Sequence, residues 1–522
     1  MNVNYELLAE AVFIIYSIAL IFLSCYGFIQ LHLVYKYLRH KKEKKTLPQP
    51  LTHYPFVTVQ LPVYNESLVV TRLLDAVTKF DYPKECWEIQ ILDDSTDETT
   101  AIIRDTIQQY KNEGLQIHHV RRSNRVGYKA GALQNGLRTA KGEFVALFDA
   151  DFVPPANFLQ RTLAPFKNEN VGMVQTRWTH LNKNNSLLTH FQAFLLDAHF
   201  SVEQKGRNNG GYFINFSGTG GVWRKACMID AGGWQADTLT EDFDLSYRAQ
   251  MKGWQFLYLE DITVPAELPP VMSALKTQQF RWIKGNAETA KKHLKNILHS
   301  SLPASKKIHA FFHLMVGMVF ISAFAASFLS IPLLMLKLHV PQLKLWFTYA
   351  SFSLVSLFCL GIFHYISTVY TGFVRTNAKQ YFFKMFPLYL SFSMGMTLCN
   401  TVAVLEAWTG KKSTFVRTPK FNASDAKQNI AATIKGKKKN PLWIMEMVMA
   451  IYFSGGAGLA FYYNDFSMFP YHLMLALGFG MIVWFTLKEQ FTDSYKTNSV
   501  KKHSVYRIDN GIRSPRLSRK AL

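Results

Sequence analysis

Two aspartates close an apolar run. The stretch "ALFDADFVP" (residues 146–154) is largely hydrophobic apart from Asp149-Ala-Asp151. Burying carboxylates is costly unless something positive meets them. Two such oxygen ligands and a ligand phosphate together describe a site for Mg2+ or Mn2+. The spacing alone is weak evidence. Asp242-Phe-Asp244 repeats it, and aspartate is common in turns and helix caps after strands. Context has to decide. "FVTVQLPVYNE" (56–66) ends in Tyr64, Asn65 and Glu66, and "EIQILDDSTDE" (88–98) carries Asp93 and Asp94. "GYKAGAL" places Lys129 where a loop enters a helix, and a helix N-terminus suits phosphate. "TLTEDFDLSYRAQMKGW" (238–254) sets Glu241 and Asp242 at the start of a helical stretch. The helix dipole alone favours acid there; the functional alternative is a general base beside a second substrate. "LKTQQFRWIKGN" (275–286) carries Gln278, Arg281 and Trp282. Trp and Lys also suit a plain interfacial helix. Arg, however, grips a diphosphate through paired hydrogen bonds, and Trp offers a flat apolar face to a sugar ring.

These residues need a common scaffold. Strand-like stretches at 56–66, 88–98, 115–122 and 143–151 alternate with helical patterns, the βαβ arrangement. The alternation predicts an α/β domain, an open, mostly parallel sheet with helices on both faces. Ligands bind such sheets beyond the strand C-terminal ends. Tyr64 to Glu66, Asp93-Asp94 and Asp149-Ala-Asp151 all fall there. Four aspartates on one edge repel unless cations intervene. A metal-bound nucleotide diphosphate fits that edge. No G-x-x-x-x-G-K-[ST] loop and no helix-opening G-x-G-x-x-G occurs, so ATPase and NAD readings lose support.

The 522 residues divide sharply, with 50 to 300 reading as an ordinary α/β protein and 301 to 500 holding long apolar segments. The formal net charge is +22, but the basic runs lie beside apolar segments, which fits anionic lipid and the positive-inside rule rather than nucleic acid. Five scattered cysteines form no Cys-x-x-Cys, so reduced thiols are expected. Residues 1–50 read as a retained anchor (span about 11–31) and a basic linker, 51–272 as a cytoplasmic catalytic domain, and 273–308 as amphipathic interface helices. Residues 309–490 read as a membrane region with spans near 309–332, 346–369, 441–463 and 468–487. The segment 385–408 has basic flanks on both sides, so it is expected to lie in the interface or re-enter rather than cross. That parity gives five crossings, the N terminus outside, and a basic tail (491–522), too short and polar to fold alone, inside.

Taken in order, "LPVYNE", "ILDDSTDET", "NRVGYKAGAL", "ALFDADF", "FSGTGGVWR", "AGGWQADTLTEDFDL" and "QQFRW" resemble the family-two glycosyltransferases of GT-A fold, especially the cellulose synthase-like A and C proteins and their bacterial relatives. The resemblance runs from about 55 to 290 and on into the membrane half. It implies that Tyr64, Glu66, Asp93, Asp94, Lys129, Gln278 and Arg281 bind the nucleotide sugar. Asp149 and Asp151 would reach a Mg2+ or Mn2+ on the diphosphate. Asp242, beside Glu241, would be the catalytic base, and Trp282, Ser217 and Gly218 would meet the acceptor. The loop 410–440 is similar to the gating loop of cellulose synthases through Phe415, Thr418 and Lys420, with Arg417 where those enzymes usually have Val. The implied enzyme inverts, extends a β-linked polysaccharide and extrudes it through its own helices. The alternatives are single transfer to a lipid and a non-catalytic scaffold or transporter, the last of which leaves the acid pairs without purpose. UDP-glucose is the favoured donor as the commoner one, with GDP-mannose the other. The expected location is an inner or plasma membrane in a bacterium, or a Golgi-type membrane in a eukaryote.

Overall fold

The computed structural model describes residues 5–41, 51, 53–337, 340, 354–372, 376–422 and 441–508, with side chains up to 490. Seven strands form one sheet: β1 (Val57–Val63), β2 (Trp87–Asp93), β3 (Ile117–Arg121), β4 (Phe144–Leu147), β5 (Val171–His180), β6 (Gly221–Arg224) and β7 (Gln255–Ala266). Their order is β3-β2-β1-β4-β6-β5-β7. Only β6 runs antiparallel to its neighbours, β4 and β5. The four expected strands are the first four, each within a few residues of its expected place.

The strands read as continuous apolar runs because helices cover both faces. Every residue of β2 is buried. One face packs Val59, Leu61, Leu73 and Phe148; the other packs Leu92, Leu133, Trp223 and Leu245. Register then aligns the chemistry. Val63 pairs with Asp93, which pairs with Arg121, so β1, β2 and β3 end level. The strand order reverses at β1, with β2 on one side and β4 on the other, which opens a crevice where those two connections part.

The helix Met272–His299 leaves the sheet and lies under the domain, its buried side carrying Leu275, Gln278 and Ile283. The helix Thr397–Trp408 packs on it through Ala403, Val404 and Ala407. Among the described residues, four helices are long and apolar enough to cross a membrane, Glu6–His40, Gly317–Leu336, Leu442–Tyr462 and Phe469–Gln490, and the bent pair Ala378–Gly395 and Thr397–Trp408 would make a fifth if it is one span. The chain is an integral membrane protein.

Three expectations shift. The span placed at 309–332 begins at Gly317, because Ala304–Leu314 is a helix of its own. Its polar contacts hold it against the protein, with His309 bonded to His32 and His313 to Tyr247 at 2.9 and 2.8 Å. The segment 385–408 is two helices, Ala378–Gly395 and Thr397–Trp408, bent by 44°. The boundary placed at 490 falls inside a helix, since the last helix runs on to Ile508; each residue added to an existing helix gains a bond without a new nucleus. Of the 346–369 span, only the helix Leu354–Tyr370 falls among the described residues, and 423–440 of the expected loop lie outside them.

A buried ion pair ties the domain to the membrane bundle. Lys276 Nζ lies 2.5 Å from Glu446 Oε2, and the Glu446 side chain is fully buried. Lys276→Met should destabilise the protein by about 3–5 kcal/mol, because it strands a buried charge. Lys276→Met with Glu446→Leu should recover most of that loss, read as the thermal midpoint in detergent.

Candidate active site

The crevice receives its side chains from loops at the strand ends. Tyr64 and Glu66 follow β1, Asp94 follows β2, and Asp149 and Asp151 follow β4. The "FSGT" turn brings Ser217 and Gly218, the helix Glu241–Met251 brings Glu241 and Asp242, and the helix Met272–His299 brings Gln278, Arg281 and Trp282. Phe415, Thr418 and Lys420 come over the top from residues 411–422. All of the expected site residues except Asp93 therefore line one cleft.

Asp93 faces inward instead, at 1% exposure. It accepts bonds from Ser95 N and Thr100 Oγ1 and meets His119 Nε2 at 2.9 Å. Burial pushes its carboxyl up, yet these bonds hold it at about 2. Asp93 shapes the loop after β2, and its neighbour Asp94 faces the cleft. Arg122 fixes Asp94 with Nε 3.0 Å from Oδ1 and Nη2 2.5 Å from Oδ2.

Cations answer the converging carboxylates. Lys129 Nζ donates to Asp149 Oδ1 at 2.6 Å and to Gly218 O at 3.0 Å. Thr219 Oγ1 accepts from Asp149 N at 2.9 Å. Lys420 Nζ donates to Asp151 Oδ2 at 2.8 Å. Arg417 donates to Tyr64 O at 2.7 Å and reaches Glu66 Oε1 at 3.4 Å. Arg281, half-buried, lies at the centre of the set. Burial lowers its pKa, while Glu241, Asp149, Asp242 and Asp151 oppose that shift. Its guanidinium sits 4.7 Å from the Phe415 ring centroid, and Phe415 stacks on Tyr128 at 5.8 Å. The loop is thus seated across the cleft by aromatic and ionic contacts together.

Among the acids lining the cleft, two carboxylate oxygens remain buried without a hydrogen-bond partner, Asp151 Oδ1 and Glu66 Oε2. Burial, then the charges of Asp151 and Asp149, outweigh Arg417 and Lys420 and push Glu66 to about 8. Hard oxygens left open in this way fit a divalent cation. Among the described residues, no three or more His, Cys, Asp or Glu are grouped to hold a metal by themselves. A cation here would need the phosphates of a ligand to complete its shell.

The surroundings of Asp242 match what a general base would need. Its Oδ1 accepts from Phe243 N at 2.8 Å. A Cβ at Gly218 would lie 2.9 Å from Asp242 Oδ2, and the left-handed φ of +80° there also calls for glycine. Burial, then the charge of Glu241, raises Asp242 to about 7, against Lys129. A base poised near neutrality is effective in proton transfer.

A family model described as glycosyltransferase-like family 2 matches residues 55–285. Glucomannan 4-beta-mannosyltransferase 2 of Arabidopsis thaliana is 33% identical over 399 residues, covering 75% of this chain and 71% of that relative. The chain belongs to glycosyltransferase family 2. Probable glucomannan 4-beta-mannosyltransferase 11 of Oryza sativa subsp. japonica is 42% identical over 269 residues, covering 50% of this chain and 46% of that one. The match thus spans less than half the length of the rice relative. Among solved structures, a mannosyltransferase from Pyrobaculum calidifontis in complex with GDP-Man and Mn2+ aligns with TM-score 0.52 at 19% identity. It covers 76% of this chain and all of that one, and it shares the fold.

In this family 2 chain, several residues of the site were not foreseen. Trp178, on β5, lines the cleft and donates from Nε1 to Thr219 O at 3.3 Å. Lys284, two residues after Trp282, is fully buried and bonds Glu406 Oε2, Lys411 O and Ser413 Oγ at 3.1, 2.7 and 2.5 Å. At the loop's other end, Arg72 pairs with Glu267 at 2.7 Å and reaches Asn422 Oδ1 at 3.3 Å. The one signal for Lys284 was a charge on the buried side of a helix. Arg72 gave none, since its partner lies far along the chain.

The pH profile tests the base. With Asp242 at about 7, the acid limb of kcat/KM should bend near that pH. A general base acts only once it has lost its proton, so with Asp242 in that role activity would fall below the bend. Removing the like charge by Glu241→Gln lowers the Asp242 pKa and should move the limb to lower pH. An unmoved limb places the titration elsewhere.

Proposed function

We propose that this family 2 chain is a processive, inverting β-glycan synthase that takes its sugar from a nucleotide donor. The observation that carries the reading is a second cavity, about 700 Å3, that opens from the cleft. It shares Trp178, Ser217, Asp242 and Trp282 with the cleft and runs between the membrane helices to Lys337, Asp465 and Tyr471. A polymer growing at Asp242 has a protein-lined route into the bundle. That route supports extrusion over single transfer to a lipid, and extrusion calls for the catalytic domain and the tail to lie on the cytoplasmic side.

The chemistry follows from the side chains. Asp242 takes the proton of an acceptor hydroxyl held near Trp282 and Ser217. The oxygen attacks C1 of the donor sugar from the face opposite the diphosphate, and a single displacement inverts the anomeric centre. Lys129 and Arg281 counter the charge that develops on the leaving diphosphate. Asp149 and Asp151, with Glu66 beside them, would hold Mg2+ or Mn2+, which supplies further charge stabilisation when bound. For the donor, the names of the relatives turn the preference from UDP-glucose to GDP-mannose, with a 4-linked β-mannosyl product.

The test uses membrane vesicles with Mg2+ or Mn2+ and labelled GDP-mannose, UDP-glucose and UDP-N-acetylglucosamine. A large, mannanase-sensitive product from GDP-mannose is expected, and a large product from UDP-glucose alone would change the donor. A single-sugar, lipid-extractable product would overturn processivity. Asp242→Asn should cut transfer by about 10²–10⁴-fold and leave donor binding largely intact.

A further inference from the structure

We infer that a polar lobe of the second cavity, beside the turn His199–Glu203, binds hydroxyl groups of the growing glycan behind its reacting end. The inference rests on the glycan-synthase reading and assigns that glycan a second point of recognition. The helix Leu187–Ala198 continues into a π-helical turn, His199–Glu203, and then into the helix Gln204–Asn209. Such turns are rare and often mark functional sites. Here the wide turn presents His199 and Glu203 to the cavity, with Arg207 one turn on.

The lobe is charged but internally balanced. Glu203 Oε1 accepts from Arg207 Nε and Nη2 at 3.2 and 3.1 Å, and its Oε2 meets His199 Nδ1 at 2.9 Å. Arg207 is 1% exposed. Its Nη1 also reaches His309 O at 3.4 Å. From the opposite side the N-terminal helix contributes Gln30, 2% exposed, and the helix Met272–His299 contributes Asn286. The side-chain oxygens of both amides are buried without a hydrogen-bond partner. Buried acceptors are normally satisfied. These two face a cavity, where a ligand bearing O–H groups can reach them.

Charge selects the ligand. Arg207 is already committed to Glu203, so a phosphate head group finds no open cation, whereas a neutral polyol needs none. Place selects it again. Gln204 Nε2 donates to Asn215 O and Oδ1 at 3.3 and 3.1 Å, and Asn215 Nδ2 reaches Ser217 Oγ at 3.5 Å. Ser217 belongs to the acceptor segment, so hydrogen bonds join the lobe to the place where the chain end reacts. The N-terminal helix comes close enough to take part because residue 206 is glycine; a Cβ there would lie 2.6 Å from Leu33 O.

The experiment measures KM for soluble β-linked manno-oligosaccharides of two to six sugars, using the full-length enzyme in vesicles with its preferred donor. In the wild type, KM should fall with acceptor length. Gln30→Ala and Glu203→Gln should each raise KM for the hexamer by about ten-fold, the loss of one good hydrogen bond. The KM values for the dimer and for the donor should stay within about two-fold in the same variants. An equal rise for dimer and hexamer, or none, overturns the inference. So does a defect that follows the anionic lipid content of the vesicles rather than acceptor length. If Glu203→Gln fails to fold, Gln30→Ala decides. A wild type that elongates no oligosaccharide with any donor overturns the synthase reading itself, and this inference with it.

Discussion

Charge compensation among buried carboxylates is the constraint on which the rest of this structure depends. Glu66, Asp149, Asp151, Glu241 and Asp242 meet in one cleft because parallel strands end level and the loops beyond them point the same way. Left alone, such a group would push the chain apart or pick up protons. Four cationic side chains prevent this, from three different places in the sequence. Lys129 starts a helix, Arg281 lies on the helix beneath the domain, and Arg417 and Lys420 arrive on the loop from the membrane half. Three of them also tie the soluble domain to the part that follows it.

That arrangement makes the loop part of the site's electrostatics. Lys420 sits on Asp151 and Arg417 on Glu66, the same acids that would serve a cation and a diphosphate. Cationic side chains and a metal–donor pair therefore answer the same negative field. The loop's base is fixed by Lys284, on the helix that carries Arg281 and Trp282, so the helix and the loop are positioned by one buried ammonium group. Arg417 bonds the backbone of Tyr64 and so helps to seat the loop.

Much of the fold was legible in the sequence. The first four strands read correctly because each is a short apolar run bounded by polar punctuation, and their spacing implied parallel pairing. The membrane helices read by length and hydropathy. The segment around Met396 was legible as unusual, because both of its flanks are basic, but its 44° bend was not, because nothing local marks the break. The shift of the 309–332 span had the same origin. Hydropathy does not register that His309 and His313 find partners on the N-terminal helix and in the domain, and those partners set the boundary.

The sequence by itself determined which residue types were available, at which ends of which strands, and hence that acids would gather on one sheet edge. Alternation of strand and helix requires this, because each parallel strand returns to the same side. Tertiary structure decided which acid faces the cleft. Asp93 and Asp94 are adjacent and chemically alike, yet successive side chains near a strand end point opposite ways. One is consumed by His119, Ser95 and Thr100, and the other lines the cleft. Tertiary structure alone also brought Arg417, Lys420 and the buried amides of Gln30 and Asn286 to the two cavities. Hydrogen bonds and ion pairs between distant segments depend on distances of a few ångströms, and no local pattern of residues encodes those.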